Sequence, residues 1–269
     1  MPNPIDERLL ATYLRTHEIG WNVVHFNEVE STNITALEMA RSGASEGTAI
    51  VAENQRAGRG RLGRVWSSEA GKNLTFSVVL RPRTSPSRIG IIPLLAGISV
   101  ASALDEFSSE SPHCKWPNDV LLGGGKISGI LCESAIQDGA IDAVVVGVGI
   151  NVNQVDFPED IATRPASLAA FAGREFDRTR VLASVLNRLG EFYRLFRTGQ
   201  DGIIIEAWKN ASPMIGTEVG INRNGTILRG TALDVGKDGS LILSVEGKPV
   251  SVYAGDVTLH TEGPYVARN

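Results

Sequence analysis

Ala143-Val144-Val145-Val146-Gly147-Val148-Gly149-Ile150-Asn151-Val152 is apolar at nearly every position and shows no alternation of polar with apolar side chains. A short run of this kind, rich in β-branched residues, reads as a strand buried on both faces and therefore central in its sheet. Upstream of it, Ile127–Glu133 and His113–Leu122 read as two more consecutive strands, and Gly123-Gly124-Gly125 supplies a tight reversal just before Lys126. Farther out, Leu74, Phe76, Val78 and Leu80 alternate with Thr75, Ser77, Val79 and Arg81, the period of a half-buried strand, and Ala49–Ala52 makes a short one.

Helical spacing fills the gaps between these strands. Ile34, Leu37 and Ala40 recur after Ser31, Thr32 and Asn33, which suit a helix start. Ile91, Leu94, Leu95, Ile98 and Leu104 form a stripe ending near Phe107. Val181, Leu182, Val185, Leu186, Leu189, Phe192, Tyr193 and Phe196 mark a long amphipathic helix, and a shorter one follows with Ile204 and Trp208. After Ser212-Pro213 the character changes. The runs Thr217–Asn222, Thr226–Asp234, Leu241–Val245 and Val250–Tyr253 are separated by Asn224-Gly225, Asp238-Gly239 and Glu246-Gly247, of which Asn-Gly and Asp-Gly are strong hairpin signals. The pattern divides the chain into a larger domain over residues 1–212 and a small β domain of SH3-like size over residues 213–269.

Composition narrows the function. With 42% apolar and 21% charged residues, and no run of about 18 apolar residues, the chain reads as an ordinary soluble protein without a membrane span. Its N-terminus is polar and acidic where a secretory signal needs a basic patch and an apolar stretch, so the expected location is the cytoplasm. Cys114 and Cys132 are too few for a disulfide framework, and neither they nor the four histidines have metal-ligand spacing. The sequence names no metal ligands. A net charge of −4 gives no global attraction to nucleic acid, so an anion site must be local.

One local candidate stands out. Arg56-Ala57-Gly58-Arg59-Gly60-Arg61-Leu62-Gly63-Arg64 packs four arginines and three glycines into nine residues with no acidic residue. Guanidinium forks match phosphate and carboxylate oxygens, and glycines bring backbone N–H groups close to an anion. A solvated surface turn and an RGG-like nucleic-acid contact are the alternatives; against the second, the loop has no interleaved aromatic residue for base stacking.

A second candidate is Lys115-Trp116-Pro117-Asn118-Asp119, placed where one strand ends and the next begins, so that Lys115 and Lys126 face one cleft from neighbouring strands. Lys126 opens the apolar run Ile127-Ser128-Gly129-Ile130-Leu131, and a lysine at the mouth of such a strand needs an anionic partner. Gly125-Lys126 is not a P-loop, because Ile127 follows the lysine and Val120 stands where that motif needs glycine. Gly147-Val148-Gly149 lacks the third glycine of a dinucleotide fingerprint. It signals either a close backbone approach to a ligand or sheet packing that tolerates no side chain.

Ser31-Thr32-Asn33, Gln55 with Gly58-Arg59-Gly60-Arg61, Lys115–Asp119, Lys126–Leu131 and Gly147–Asn151 occur in the order and approximate spacing of the biotin protein ligases, which the chain strongly resembles over residues 28 to 153. The resemblance implies an α+β fold: a mixed β-sheet with packed helices, related to class II aminoacyl-tRNA synthetases and lipoate ligases, followed by an SH3-like β-barrel. It implies an enzyme that uses ATP and Mg²⁺ to convert biotin to biotinyl-5′-AMP and then biotinylates one lysine of a biotin carboxyl carrier protein or domain. Carried over residue by residue, Ser31, Thr32 and Gln55 would meet the ureido ring of biotin, with Asn33 adjoining. Arg59, Gly60 and Arg61 match the loop that closes over the biotin carboxylate and the phosphates, and Lys126 the lysine bridging carboxylate and α-phosphate. Gly129 and Gly149 match close-approach positions along biotin. Trp66 would stack on adenine, Lys115 and Asn118 would make phosphate and metal-linked contacts, and Asn151 would lie near the adenylate. Arg59, Arg61 and Lys126 carry the expected catalytic load.

The chemistry of the reaction agrees with these roles. Bringing a carboxylate to the α-phosphorus of ATP joins anions that repel unless cations and oriented N–H groups neutralise them. No side-chain nucleophile is required, and none is evident. Only thirty residues precede Ser31, too few for a winged-helix module and linker, so no sequence-specific DNA binding is expected. A lipoate or octanoate ligase on the same fold and a nucleic-acid module using the arginine loop are the competing readings; monomer and homodimer stay equally open.

Overall fold

The structure, a computed structural model, describes residues 4–137, 140–158, 164–223 and 226–259. In chain order α1 (Glu7–Tyr13), β1 (Val23–Val29), α2 (Thr32–Arg41), β2 (Ala49–Gln55), β3 (Leu74–Leu80) and α3 (Ile91–Leu104) come first. Then follow β4 (His113–Lys115), β5 (Asp119–Leu122), β6 (Gly125–Gln137), β7 (Ala140–Ile150), α4 (Leu168–Ala172), α5 (Arg178–Arg197) and α6 (Asp201–Asn210). The chain closes with β8 (Glu218–Arg223), β9 (Thr226–Val235), β10 (Leu241–Val245), β11 (Lys248–Val252) and β12 (Asp256–Leu259).

Strands β1 to β7 make one mixed sheet in the order β1-β2-β3-β7-β6-β5-β4, parallel between β1 and β2 and antiparallel at the other pairings. β7 lies in the middle, as its uninterrupted apolar sequence demands, with Val144–Ile150 buried. One face of the sheet (Phe76, Val78, Leu80, Val146, Val148, Ile150) shares a core with α3, α5 and α6. The opposite face meets α2 through Ile50, Val79, Ala135, Ala143 and Val145 against Ala36 and Ala40. Because α2 is only ten residues long, it covers part of that face. The rest is left to Thr75, Ser77, Gly129, Gly147 and Gly149, and this trough is where the site forms.

Several expectations change on contact with the structure. β3 is buried along its whole length, not half-buried: Thr75 and Ser77 form part of the trough floor instead of a wet surface. His113–Leu122 is not one strand but two, β4 and β5, which pair antiparallel across the Trp116–Pro117 turn. α1, β1, α4 and β12 are additions to the elements read from the sequence. The segment Pro86–Phe107 is long and apolar enough, by length and composition, to cross a membrane, although polar residues interrupt its apolar run. Its apolarity has a nearer cause: α3 is a core helix, buried from Ile91 to Leu104 at all but a few positions.

The C-terminal strands form a five-stranded antiparallel sheet, order β11-β10-β9-β8-β12, of SH3-like size. Glu246 and Gly247, both at positive φ, make the β10–β11 hairpin turn. The Asn224-Gly225 signal lies outside the described residues. This sheet is locked to the larger one. A Cβ on Gly90, just before α3, would come within 2.2 Å of Asp238 O, and one on Gly239 within 2.1 Å of Gly90 O. Trp116, fully buried, donates its indole N–H to Gly239 O at 3.1 Å. Both cysteines are free thiols, and burial raises their pKa, that of Cys132 to about 12, which makes them inert at neutral pH.

Candidate active site

The floor of the trough is set by strand register. Gly129 on β6 lies beside Gly149 on β7, Gly149 beside Thr75 on β3, and Gly147 beside Ser77. Each of the two β7 glycines is bare for its own reason. A Cβ on Gly149 would sit 2.3 Å from Trp66 Cε2, and one on Gly147 only 2.0 Å from Asn33 Oδ1. The two readings left open by Gly147-Val148-Gly149 thus meet: side chains of the site itself lie flat on these α-carbons.

One end of the trough is polar and neutral. Ser31 occupies the N-cap position of α2 but makes no side-chain capping bond, so its buried hydroxyl stays available. Gln55, at the end of β2, accepts from Thr32 N at 2.8 Å and lies 3.2 Å from Thr32 Oγ1. Asn33 is differently placed. Its amide donates to Leu131 O and Glu133 Oε2, and its carbonyl accepts from Ser77, so its polar atoms are engaged by the sheet.

The other end is cationic. Lys126 Nζ pairs with Asp119 Oδ1 at 2.7 Å across β5 and β6 and lies 5.9 Å from the centre of the Trp66 ring. Thus the anionic partner that a lysine here requires is, in this structure, Asp119. Burial lowers the Lys115 pKa below the ordinary lysine value, with Lys126 and Arg64 adding to the effect and Asp119 and Asp256 opposing it. Asn118 donates to Ile130 O and accepts from Arg61 Nη1 at 3.1 Å. Asn151 donates to Ala166 O and Lys126 O, which fixes the backbone from which Lys126 projects.

The glycine-arginine loop forms the lid. Trp66 N bonds Gly58 O and Gly60 N bonds Arg64 O, so residues 58–66 fold as a tight hairpin whose tip bears Leu62 at positive φ. Gly58 is required because Trp66 O would lie 2.3 Å from its Cβ. The arginines diverge. Arg56 faces Glu28, Arg64 pairs with Asp256, and Arg61 reaches Asn118 and the Gly255 carbonyl. Burial lowers the Arg61 pKa, against the pull of Asp256 and Asp119 and with help from Arg64. Arg59 is exposed and has no ion-pair partner among the described residues. The Trp66 indole N–H is buried without a hydrogen-bond partner among the described residues, and a ligand acceptor would recover the cost of about 1–3 kcal/mol.

The structure therefore brings Ser31, Thr32, Gln55, Trp66, Lys126, Gly129 and Gly149 around one trough, with Arg61, Lys115 and Asn118 at its cationic end. Asn33 and Asn151 stand behind its walls. Sequence reasoning missed Ser77, Glu133 and Asp256. A polar residue alternating with buried ones was a usable signal for Ser77; Asp256 gave none, since its partner lies 192 residues away. Among the described residues no group of three or more His, Cys, Asp or Glu could hold a metal ion. Beside Arg61 and Asn118 a cavity of about 600 Å³ opens towards the C-terminal sheet, lined also by Leu94, Trp116 and Tyr253.

Comparison with known proteins agrees with this geometry. The sequence profile of the Biotin/lipoate A/B protein ligase family matches residues 26–151. The biotin--[acetyl-CoA-carboxylase] ligase of Mycobacterium tuberculosis is 35% identical over 272 residues, covering 94% of this chain and 95% of that protein. The chain belongs to the biotin/lipoate A/B protein ligase family. The bifunctional ligase/repressor BirA of Bacillus subtilis is 34% identical over 96% of this chain and 80% of its own length. In fold, the biotin protein ligase of Aquifex aeolicus in complex with biotin and ATP superposes with a TM-score of 0.78 at 32% identity, covering 90% of this chain and 99% of that one.

Proposed function

We propose that this family member is a biotin protein ligase, which activates biotin with ATP to biotinyl-5′-AMP and transfers it to a specific lysine of a biotin carboxyl carrier protein or domain. The observation that carries this reading is the polarity of the trough: a neutral hydrogen-bonding end at α2, a side-chain-free middle and a cationic end. Biotin has the same order of parts, a cyclic urea, an apolar ring and tail, and a carboxylate. In this reading Ser31, Thr32 and Gln55 hold the urea, and Gly129, Gly149 and Trp66 enclose the tail. Lys126 exchanges Asp119 for the carboxylate and α-phosphate, while Arg59 and Arg61 close over the same charges.

A carboxylate oxygen then attacks the α-phosphorus and pyrophosphate leaves. In the second step the uncharged amine of the carrier lysine attacks the acyl carbon of the mixed anhydride, loses a proton and expels AMP. Trp66 offers one face to adenine, and Lys115 and Asn118 stand where phosphate contacts are needed. Mg²⁺ belongs to this proposal as part of the ATP substrate. We place the chain in the cytoplasm and without specific DNA binding.

The test is to incubate the protein with biotin, Mg²⁺, α-labelled ATP and a carrier domain, following adenylate and carrier mass. Adenylate and one biotin adduct are expected. Activity with lipoate or octanoate in place of biotin, or no adenylate with any acid, would overturn the reading.

A further inference from the structure

Behind the neutral end of the trough runs a chain of hydrogen bonds whose members are mostly buried. Asn33 Nδ2 donates to Leu131 O at 3.1 Å and Glu133 Oε2 at 2.7 Å. Both are acceptors, so the amide of Asn33 must face them and its Oδ1 must face Ser77, whose Oγ is 2.6 Å away. Ser77 Oγ also lies 2.7 Å from Thr32 Oγ1. Ser77 has one hydrogen, and Asn33 Oδ1 can only accept, so the serine proton belongs there. The Thr32 hydroxyl is left to turn its own hydrogen to Ser77 or to Gln55 Oε1, while Thr32 N bonds that same oxygen at 2.8 Å. Gln55 thus presents its carbonyl to α2 and its amide to the side of Gly58, where Nε2 lies 3.1 Å from the position of a Gly58 Cβ.

We propose that Ser77 and Glu133, which touch no substrate in the reading above, are positioning residues that fix the donor–acceptor polarity of the urea-binding wall. A carboxamide or hydroxyl alone presents either sense, so the sense is set where fixed groups enter: the acceptors Leu131 O and Glu133 for Asn33, and the Thr32 N–H for Gln55. From Asn33 the sense passes through Ser77 to the Thr32 hydroxyl, beside the Gln55 carbonyl that the Thr32 N–H holds. Its consequence is selectivity for a head group with a carbonyl acceptor and ring N–H donors over one with the same shape and the opposite pattern. The proposal rests on the biotin ligase reading.

The experiment measures adenylate formation with biotin and with 2-iminobiotin, in which the urea oxygen is replaced by nitrogen, for the wild type and for Ser77→Ala, Glu133→Ala and Glu133→Gln. Failure of the wild type to adenylate biotin would sink the functional reading itself. Given wild-type activity, Ser77→Ala and Glu133→Ala are expected to raise KM for biotin by about ten-fold, leave kcat within about two-fold, and narrow the preference for biotin over iminobiotin by a similar factor. Glu133→Gln keeps an acceptor for Asn33 and is expected to behave as wild type. Unchanged preference in Glu133→Ala, or a loss confined to kcat, overturns the proposal. Because Glu133 is partly exposed, its variants decide the matter even where Ser77→Ala fails to fold.

Discussion

Replacing Gly149 by alanine should disable the enzyme without unfolding it. The new methyl carbon would lie 2.3, 2.5 and 2.7 Å from Trp66 Cε2, Cζ2 and Nε1. Carbon atoms in contact prefer roughly 3.5–4.0 Å, so the indole must withdraw by about 1 Å or more. It can, because Trp66 ends a surface hairpin, and the change in unfolding free energy should stay within about 1 kcal/mol. A shift of this size at a substrate-enclosing ring costs on the order of 100-fold in kcat/KM for adenylate formation. Gly147→Ala is the informative contrast. Its methyl would strike the buried Asn33 carboxamide, which cannot leave without breaking three hydrogen bonds. The loss should therefore appear as roughly 2–4 kcal/mol of stability. Urea melts and pyrophosphate-release kinetics on both variants separate the two effects. In a Trp66→Ala background, Gly149→Ala should cost little more. Additive losses in that double variant, or identical behaviour of the two glycine variants, would refute the reasoning.

Lys126→Ala should lower adenylate formation by on the order of 100- to 1000-fold, read with α-labelled ATP, and leave Asp119 without its cation; a near-normal rate would remove Lys126 from the chemistry. Asp256→Ala frees Arg64 from the C-terminal sheet. Both partners are exposed enough that stability should change by less than about 1 kcal/mol, whereas KM for ATP should rise about five-fold in steady-state assays as the lid loosens. Glu53 sits where burial raises its pKa but Ile5 N–H, Arg178 and His25 together outweigh that and leave it below the ordinary carboxylate value. Its contribution is therefore fully present above the ordinary carboxylate pKa and is lost as pH falls through the lowered one. Urea melts of wild type and Glu53→Gln should differ at pH 7 and converge in acid; a gap independent of pH would contradict the assignment.

What could be read without coordinates was whatever a local pattern encodes. β7 announced itself because a strand covered on both faces has no polar positions, and α5 because its buried side recurs at helical spacing. The arginine loop and the Lys115–Asp119 segment were legible because anion chemistry draws on few residue types. β1 escaped: it is an edge strand with four half-buried and two exposed residues, and such burial leaves little period to find. Ser77 looked like the wet side of a strand because alternation shows that one face differs, not that the differing face is wet. Asp256 and the pairing of Asn33 with Glu133 depend on contacts across the fold, which spacing in the chain does not encode.

The interlock of Gly90 with Gly239, bridged by Trp116, has a consequence for dissection of the chain. Main-chain atoms abut there with no side chain to give way, so the C-terminal sheet is joined to α3 as tightly as one strand to the next. Cutting the backbone near Ser212 should leave two pieces, each carrying a complementary scar, that reassemble when mixed. Such a split molecule would report the proximity of whatever its halves were fused to.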